Sequence, residues 1–591
     1  MQQHRLLRYV LLSTAFLCLG TTQLCGQNTD TSSSMPQSQT PTAFDNPELV
    51  QRYQASITPE ELSAHLYFFA SDFFEGRETA TRGQKLAAHY LASQYRRMGL
   101  MPKGNAPNNN PQAPDAYFQP FKLHGTRLSR ANLDVMVNDK MAAASVFSPT
   151  AYSDQMYLLF GASGEATGGV VFAGYGIADD NLGYNDLTAL EAKGIDLAGK
   201  WVLVLRDEPM KNDSTSLLPT EDGKVSAWTT RTFTKLRGLM TPEPAGLLIV
   251  ADAGPGGIDV GAQAAAMAQG IQEGVGTLSL EPRSGGGRGR SFPATYMISS
   301  ALADQILASA GRTVAAVKQG IDGSLKPDVF ALPNVTIKSV VEQEAFTTTS
   351  ENVAAFIEGS DPNLKHEVVV LSSHYDHIGI DTGAEGDRIN NGADDDGSGT
   401  VTTLEMADAF IQAKHDGYGP RRSILFLNVA GEEKGLLGSR YFTDMDPLMP
   451  LDDIVTNLNI DMIGRYDPTH PGANNDYVYI IGSKLISQEL HDINARLNEI
   501  TGINLDLNER FNSKDDPQQF YRRSDHWNFG KHSIPFIFFF TGTHEDYHGV
   551  DDEADKIEYD RMARIARLIF ATAWQVANQD TRPAVSGEGF N

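Results

Sequence analysis

The chain has 591 residues, 48 Lys+Arg against 74 Asp+Glu and a formal charge of -26. That length exceeds one ordinary domain of ~100–200 residues and calls for two folded units or one unit with a large insertion. The apolar fraction of 41% is a globular value, and the acid excess excludes a non-specific nucleic-acid binder.

The first segment reads as an export signal, residues 1–26. Arg5 and Arg8 make a basic start, Tyr9 to Leu19 an apolar run, and a small-residue region ends at Gly26. The run is shorter than the ~20 apolar residues of a membrane span, and no later stretch supplies one. Cleavage near Gly26 removes both cysteines, Cys18 and Cys25. It also removes Arg5 and Arg8 but no acid, so the charge moves from -26 to -28. The expected location is periplasmic or extracellular, and Leu24 before Cys25 argues against a lipoprotein anchor. Residues 27–45 are rich in Ser, Thr, Gln and Pro and read as a disordered tether.

A first part of an α/β domain follows over 46–150. Thr58 to Glu61 fits a capping box with Pro59 at the first helical position, and Leu62, Leu66 and Phe69 fall on one stripe. A second helix is expected from Arg82 to Met98, stopped by Gly99. Residues 151–325 read as a β-rich block, with short apolar runs at 170–173, 201–205 and 247–251. The glycines of 284–290 are not spaced as a phosphate-binding fingerprint.

Over 326–580 the pattern becomes strand, loop, helix, repeated. Strands are expected at 368–372, 424–429, 458–460, 477–481 and 534–540. Helices are expected at 400–414, from 435, at 486–501 and at 559–578. Continuous apolar strands alternating with helices indicate an α/β fold with a mostly parallel central sheet covered on both faces. Residues 581–591 read as a flexible tail.

Residues with metal-ligand chemistry fall just past these strands. His374 and Asp376 follow the first, and Asp394-Asp395-Asp396 precede the next helix. Glu432 and Glu433 follow the second strand, Asp461 ends the third, and Tyr547 and His548 follow the last. Open α/β sheets build their sites outside the carboxyl ends of strands. Each residue alone has a bland reading: a surface histidine, an acidic helix start, a capping aspartate. Recurrence at every strand end is what the bland readings fail to explain. Asp394, Asp396, Ser398, Gly399 and Glu405 also fit a calcium loop, but 382–393 cannot form the helix such a loop needs in front.

Two neighbouring divalent ions need a bridging carboxylate, ligands on each side and a further carboxylate to take a proton from water. The pair Glu432-Glu433 can supply a ligand and a base. Imidazole and carboxylate ligands suit zinc, and the thiol-free chain left after cleavage excludes a cysteine-built site.

HYDH (374–377), NNGADDDGSG (390–399), GEEKGLLGS (431–439), NIDMIG (459–464) and EDYHGVDD (545–552) occur in this order, with IEGSDP (357–362) before them. They resemble the two-zinc exopeptidase family of secreted bacterial leucyl aminopeptidases, aminopeptidase Y and glutamate carboxypeptidase. The resemblance implies the zinc exopeptidase fold and two zinc ions. His374 and Asp461 would hold one ion, His548 and Glu433 the other, and Asp395 would bridge them. Glu432 would be the general base for a metal-bridged water, and Tyr547 would stabilise the oxyanion. Asp376 would orient His374 through its free ring nitrogen, and Asp552 would do the same for His548. Ser524-Asp525-His526 also matches a family motif, with no fixed role. The block 151–325 resembles a protease-associated domain through VVFAGYGI, YNDL and LAGKWVLVLRDEP.

The expected activity is removal of N-terminal residues from peptides. A glutamate-type metallo-carboxypeptidase is the alternative, with Arg522-Arg523 as its carboxylate reader. An aminopeptidase needs an acid for the substrate amine, and 542–555 offers several. A one-zinc glutaminyl cyclase fits the full ligand set poorly. A non-catalytic, metal-stabilised binding protein leaves Glu432 without a purpose. The expected partners are peptide substrates, with no nucleic acid and no membrane span.

Overall fold

The computed structural model describes residues 39–589, apart from 106–109, 111–112, 241–242, 283–292, 382–385, 471–474 and 514. The export signal, most of the tether and the 284–290 loop lie outside the described residues.

Helix α1 (Pro47–Gln54) is capped by Asn46 and α2 (Pro59–Phe69) by Thr58. Thr58 Oγ1 accepts the Glu61 N–H at 3.2 Å and donates to the Glu61 carboxylate at 3.1 Å, so cap and acid hold each other. Residues 40–45 are ordered, against the expectation of a tether to 45. The indole of Trp574 donates to Pro41 O at 3.0 Å, Thr40 Oγ1 donates to Gly419 O at 2.6 Å, and Ala43 is fully buried. Helix α3 (Arg82–Met98) ends on Gly99 in the left-handed region.

Strand β1 (Phe118–Val137) leads into the middle block. Here β2 (Gly164–Ala173), β3 (Trp201–Leu205), β4 (Gly246–Val250) and β5 (Ala294–Ile298) run parallel, in that spatial order. WVLVL and GLLIV are fully buried, as strands covered on both faces require. Gly246 is needed there, since a Cβ would sit 2.2 Å from the Trp201 ring. Helices α4 (Val260–Glu273), α5 (Ser300–Leu307) and α6 (Val314–Ser324) add more helix than a β-rich block implies. The Ala- and Gly-rich sequence of α4 hid it, because so few large apolar residues mark its face. The core of this block draws on residues from Ala131 to Val341, wider than 151–325.

The reason is β6 (Val329–Ile357), which returns along β1 as a long antiparallel ribbon from Val335↔Val137 to Val353↔Phe118. One end of the ribbon lies in the block's core and the other in the core that also holds α1, α2 and α3, so the boundary falls inside strands rather than in a loop.

The second sheet is built from β7 (Val368–His374), β8 (Ser423–Val429), β9 (Ile454–Ile460), β10 (Tyr477–Ile481) and β11 (Phe536–Phe540). Its order is β6-β8-β7-β9-β11-β10, parallel in the middle four and antiparallel at β6 and β10. Side chains alternate between two cores. Val369, Leu371, Ile424 and Phe426 face the larger one, and Val368, Val370, Leu425 and Leu427 face the other. Helices α7 (Gly399–His415), α8 (Gln488–Ile500) and α9 (Tyr559–Asn578) cover the larger core. The helix expected from 435 is only Leu437–Arg440 before the winding changes. The tail is pinned through residue 589: Ser586 N and Gly589 N donate to Ile486 O and Leu485 O, and Arg582 pairs with Glu367. No helix among the described residues is long and apolar enough to cross a membrane.

Leu248 is fully buried in the core of the middle block. Leu248→Ala is expected to cost about 2–5 kcal/mol in denaturant unfolding while leaving metal uptake unchanged.

Candidate metal centre

The middle strands β8, β7, β9 and β11 end along one sheet edge, and the polar residues gather there. His374 is the last residue of β7 and is buried. Its Nδ1 faces the Asp376 backbone carbonyl at 3.1 Å, which leaves Nε2 at 3.2 Å from Asp395 Oδ1 and 3.6 Å from Asp461 Oδ1. Asp376 therefore orients His374 through its main chain. Its carboxylate, 3.9 Å from Nδ1, instead accepts Thr79 Oγ1 at 2.6 Å and the Glu432 N–H at 3.3 Å.

The three consecutive aspartates divide their work. Asp394 Oδ1 accepts the Gly464 N–H at 2.6 Å. Asp396 accepts the N–H groups of His374, Gly399 and Met462. Asp395 alone turns both oxygens toward imidazoles, Oδ1 to His374 and Oδ2 to His548 at 3.1 Å. Asp552 does not orient His548, as the sequence suggested. Its carboxylate is spent on the Asp394 and Asp395 N–H groups at 3.0–3.1 Å, holding the loop that carries the shared carboxylate.

On the other side, His548 Nε2 lies 3.1 Å from both Asp395 Oδ2 and Glu433 Oε2. His548 has a φ of 57°, and the Tyr547 ring stacks on its imidazole at 3.9 Å. His377, given no role from the sequence, also arrives here: its Nδ1 is 2.9 Å from Glu433 Oε1. The second histidine of HYDH was the available signal. Ser524 of the SDH motif donates to Asp461 Oδ2 at 2.6 Å and accepts from Asn459. Asp525 accepts the Ser439 hydroxyl, and His526 faces the Tyr521 carbonyl.

Two donor groups result, His374–Asp395–Asp461 and His377–Asp395–Glu433, with His548 beside the second. Their separations suit divalent ions held at ~2.0–2.2 Å from each ligand, and nitrogen and carboxylate oxygen are the donors such ions take. Burial works against charge on His548, but Asp395 and Glu433 outweigh it and raise its pKa to about 10. Burial raises Asp395 in turn, yet His374 and His548 hold it well below the usual carboxylate range. Lost hydration pushes Glu432 well above its ordinary range; His374 opposes this, while Glu433, Asp525 and Asp461 add to it.

A narrow cavity of about 30 Å³ opens on His374, Asp395, Glu432, Asp461 and Tyr547. Met462, Phe520, Phe538 and Phe540 give it an apolar wall, and Arg523 stands at its rim. Arg523 donates to Tyr547 Oη at 3.2 Å, whereas Arg522 turns away and stacks on Tyr521 and Trp527. The acids of 542–555 do not line this cavity. Asp546 is paired with Arg465 and Lys556, and Asp552 lies beneath the Asp395 loop.

Residues 352–573 match the model of peptidase family M28. Every candidate ligand lies inside that stretch. A probable zinc metalloprotease of Pyrenophora teres f. teres is 29% identical over 289 residues, covering 42% of this chain and 56% of that protein. Aminopeptidase YwaD of Bacillus subtilis is 26% identical over 255 residues, covering 42% of this chain and 49% of that protein. The chain spans about half the length of the curated relatives it matches. A solved aminopeptidase from Aneurinibacillus sp. strain AM-1 is similar with a TM-score of 0.49 and 17% identity, over 91% of this chain and 98% of that one.

Two outcomes follow. Ser524→Ala removes the donor on Asp461 and is expected to weaken metal binding about 10–100-fold, read by chelator competition. His548 is protonated in the metal-free protein below about pH 10 and must lose that proton to ligate. Metal affinity should therefore rise with pH from 6 to 9, and a flat profile would contradict the assigned ligand.

Proposed function

We propose that the protein is an exported two-zinc aminopeptidase that removes N-terminal residues from peptides. The observation that carries this reading is the convergence of two ligand groups on Asp395, with Glu432 beside them at the cavity wall. His374 and Asp461 would hold one zinc, His548 and Glu433 the other, and Asp395 would contact both. The names of the relatives support zinc and an aminopeptidase activity. Export rests on the basic start and apolar run of residues 1–26. The middle block is proposed as a protease-associated module on the motifs it carries.

Zinc, when bound, supplies Lewis acidity toward the scissile carbonyl. Glu432 accepts the proton of the attacking water and returns it to the leaving amine. Burial and the nearby Asp395, Glu433 and Glu432 carboxylates raise the Tyr547 hydroxyl pKa, so it stays protonated and donates to the developing oxyanion. Met462, Phe520, Phe538 and Phe540 present an apolar wall toward the substrate.

Arg523 at the cavity rim favours a second reading, a glutamate-type carboxypeptidase that pairs it with the substrate carboxylate. Dipeptides blocked at one end separate the two. Blocking the amine should abolish aminopeptidase turnover, whereas blocking the carboxylate should abolish carboxypeptidase turnover. A binding protein would show no chelator-sensitive hydrolysis of either.

Glu432→Gln is expected to keep its metal and lose roughly 10²–10⁴-fold in kcat. Near wild-type turnover in that variant, measured with metal content confirmed, would remove Glu432 from the mechanism.

A further inference from the structure

We propose that His377 is a positioning residue that fixes Glu433 as a one-oxygen ligand of the second ion. The inference rests on the two-metal reading above and adds a role for the second histidine of HYDH.

His377 is fully buried, and its place is set by backbone. Its N–H donates to Arg77 O at 3.1 Å, and the residue bridges Glu78 in a short parallel pairing. Its ring fills the space left by Gly392, where a Cβ would lie 2.6 Å from Cγ and Cδ2. The His548 ring meets it edge-on at 5.7 Å. So held, His377 presents Nδ1 to Glu433 Oε1 at 2.9 Å.

The two oxygens of Glu433 then face different histidines. Oε2 lies 3.1 Å from His548 Nε2, which lies at the same distance from Asp395 Oδ2. Those three atoms suit one ion at ~2.0–2.2 Å from each. His377 Nδ1 stands farther from Asp395 Oδ2, at 3.8 Å, and closest to Oε1. The tautomer argument agrees. His377 Nε2 is buried without a hydrogen-bond partner among the described residues. If Nδ1 were itself a ligand, Nε2 would carry a buried, orphaned N–H, which is rarer in proteins than an unpaired acceptor. If Nδ1–H donates to Glu433, Nε2 holds only a lone pair. The hydrogen bond occupies Oε1, stops the carboxylate from rotating and leaves Oε2 for the ion. Carboxylate ligands are commonly oriented by such donors.

Zinc competition titrations on the full chain test this, with wild type and His377→Leu, His377→Asn and His377→Gln. Wild type should take two ions. The Leu variant should lose about 10–100-fold in affinity for one of them and leave the other unchanged. Asn places its amide nitrogen where Nδ1 was and should restore the affinity; Gln places it where Nε2 was and should not. Melting temperatures and the unaffected ion report on folding. With cobalt in place of zinc, the visible absorption intensity should match between wild type and the Asn variant, because the ligand count is unchanged. Unchanged affinity in the Leu variant overturns the proposal. So does an Asn variant as weak as Leu, or one with altered cobalt absorption, which would make His377 a ligand itself. A wild type that takes fewer than two ions overturns the two-metal reading, and this one with it.

Discussion

The structure depends on keeping a group of buried carboxylates together without letting their repulsion open the fold. Asp376, Asp394, Asp395, Asp396, Asp461, Asp525 and Asp552 are all buried around one sheet edge. Taking an ionised carboxylate out of water costs several kcal/mol unless it is paired or hydrogen-bonded. Three devices offset the cost. Backbone N–H groups point at Asp394, Asp396 and Asp552. Burial raises Asp552 to about 6 and Asp525 to about 7, so part of the charge is lost near neutrality. Imidazoles stand against Asp395, Asp461 and Glu433. Among the described residues these last three carboxylates have no backbone N–H donor closing them off, and they are the ones a cation would draw in.

The support comes from parts of the chain far from the ligands. Arg77 is fully buried, and among the described residues it pairs with no carboxylate directly. Its guanidinium donates to the carbonyls of Tyr375, Phe69, Asn391 and Gly392, tying the end of β7 to the loop before Asp395. Burial lowers its pKa to about 10, and the charges of Asp552, Asp395 and Asp376 oppose that loss. Thr79 holds Asp376, and Glu78 takes Lys434 beside Glu433. The helices near the start of the described chain thus belong to the same site as residues 374–548, despite the long block between them.

What was legible in the sequence was what local chemistry writes into it. Thr58, Pro59 and Glu61 announce α2, and the runs VVVLSSH and SILFLNV announce buried parallel strands, because each pattern is closed within a few residues. Strand ends carrying His374, Glu433 and Asp461 could be read for the same reason. The role of Asp552 could not, since a carboxylate reaching the Asp394 and Asp395 N–H groups looks identical in sequence to one reaching a histidine. Asp376 misled similarly, because its carbonyl rather than its carboxylate meets His374 Nδ1. His377 was hidden by its neighbour: one histidine at a strand end already filled the expected place. The ordering of 40–45 depends on Trp574 and Gly419, which no window around residue 40 contains.

The domain boundary was illegible for a deeper reason. Residues 342–344 at the middle of the ribbon are exposed and polar, so β6 looks like two strands with a linker between them. A two-stranded ribbon is marginal in water by itself. Here Thr277–Ser279 adds a third strand against His124–Thr126, and Leu278 and Leu280 bury themselves in the larger core of the second sheet. Just before that strand, a Cβ at Gly274 would lie 3.9 Å from Glu78 Oε2, on the carboxylate that holds Lys434 next to Glu433. Residues 274–280 therefore brace the ribbon and also lie beside Glu78. A shift of the middle block along its ribbon therefore moves residues that lie beside Glu78, the carboxylate that holds Lys434, the residue after Glu433.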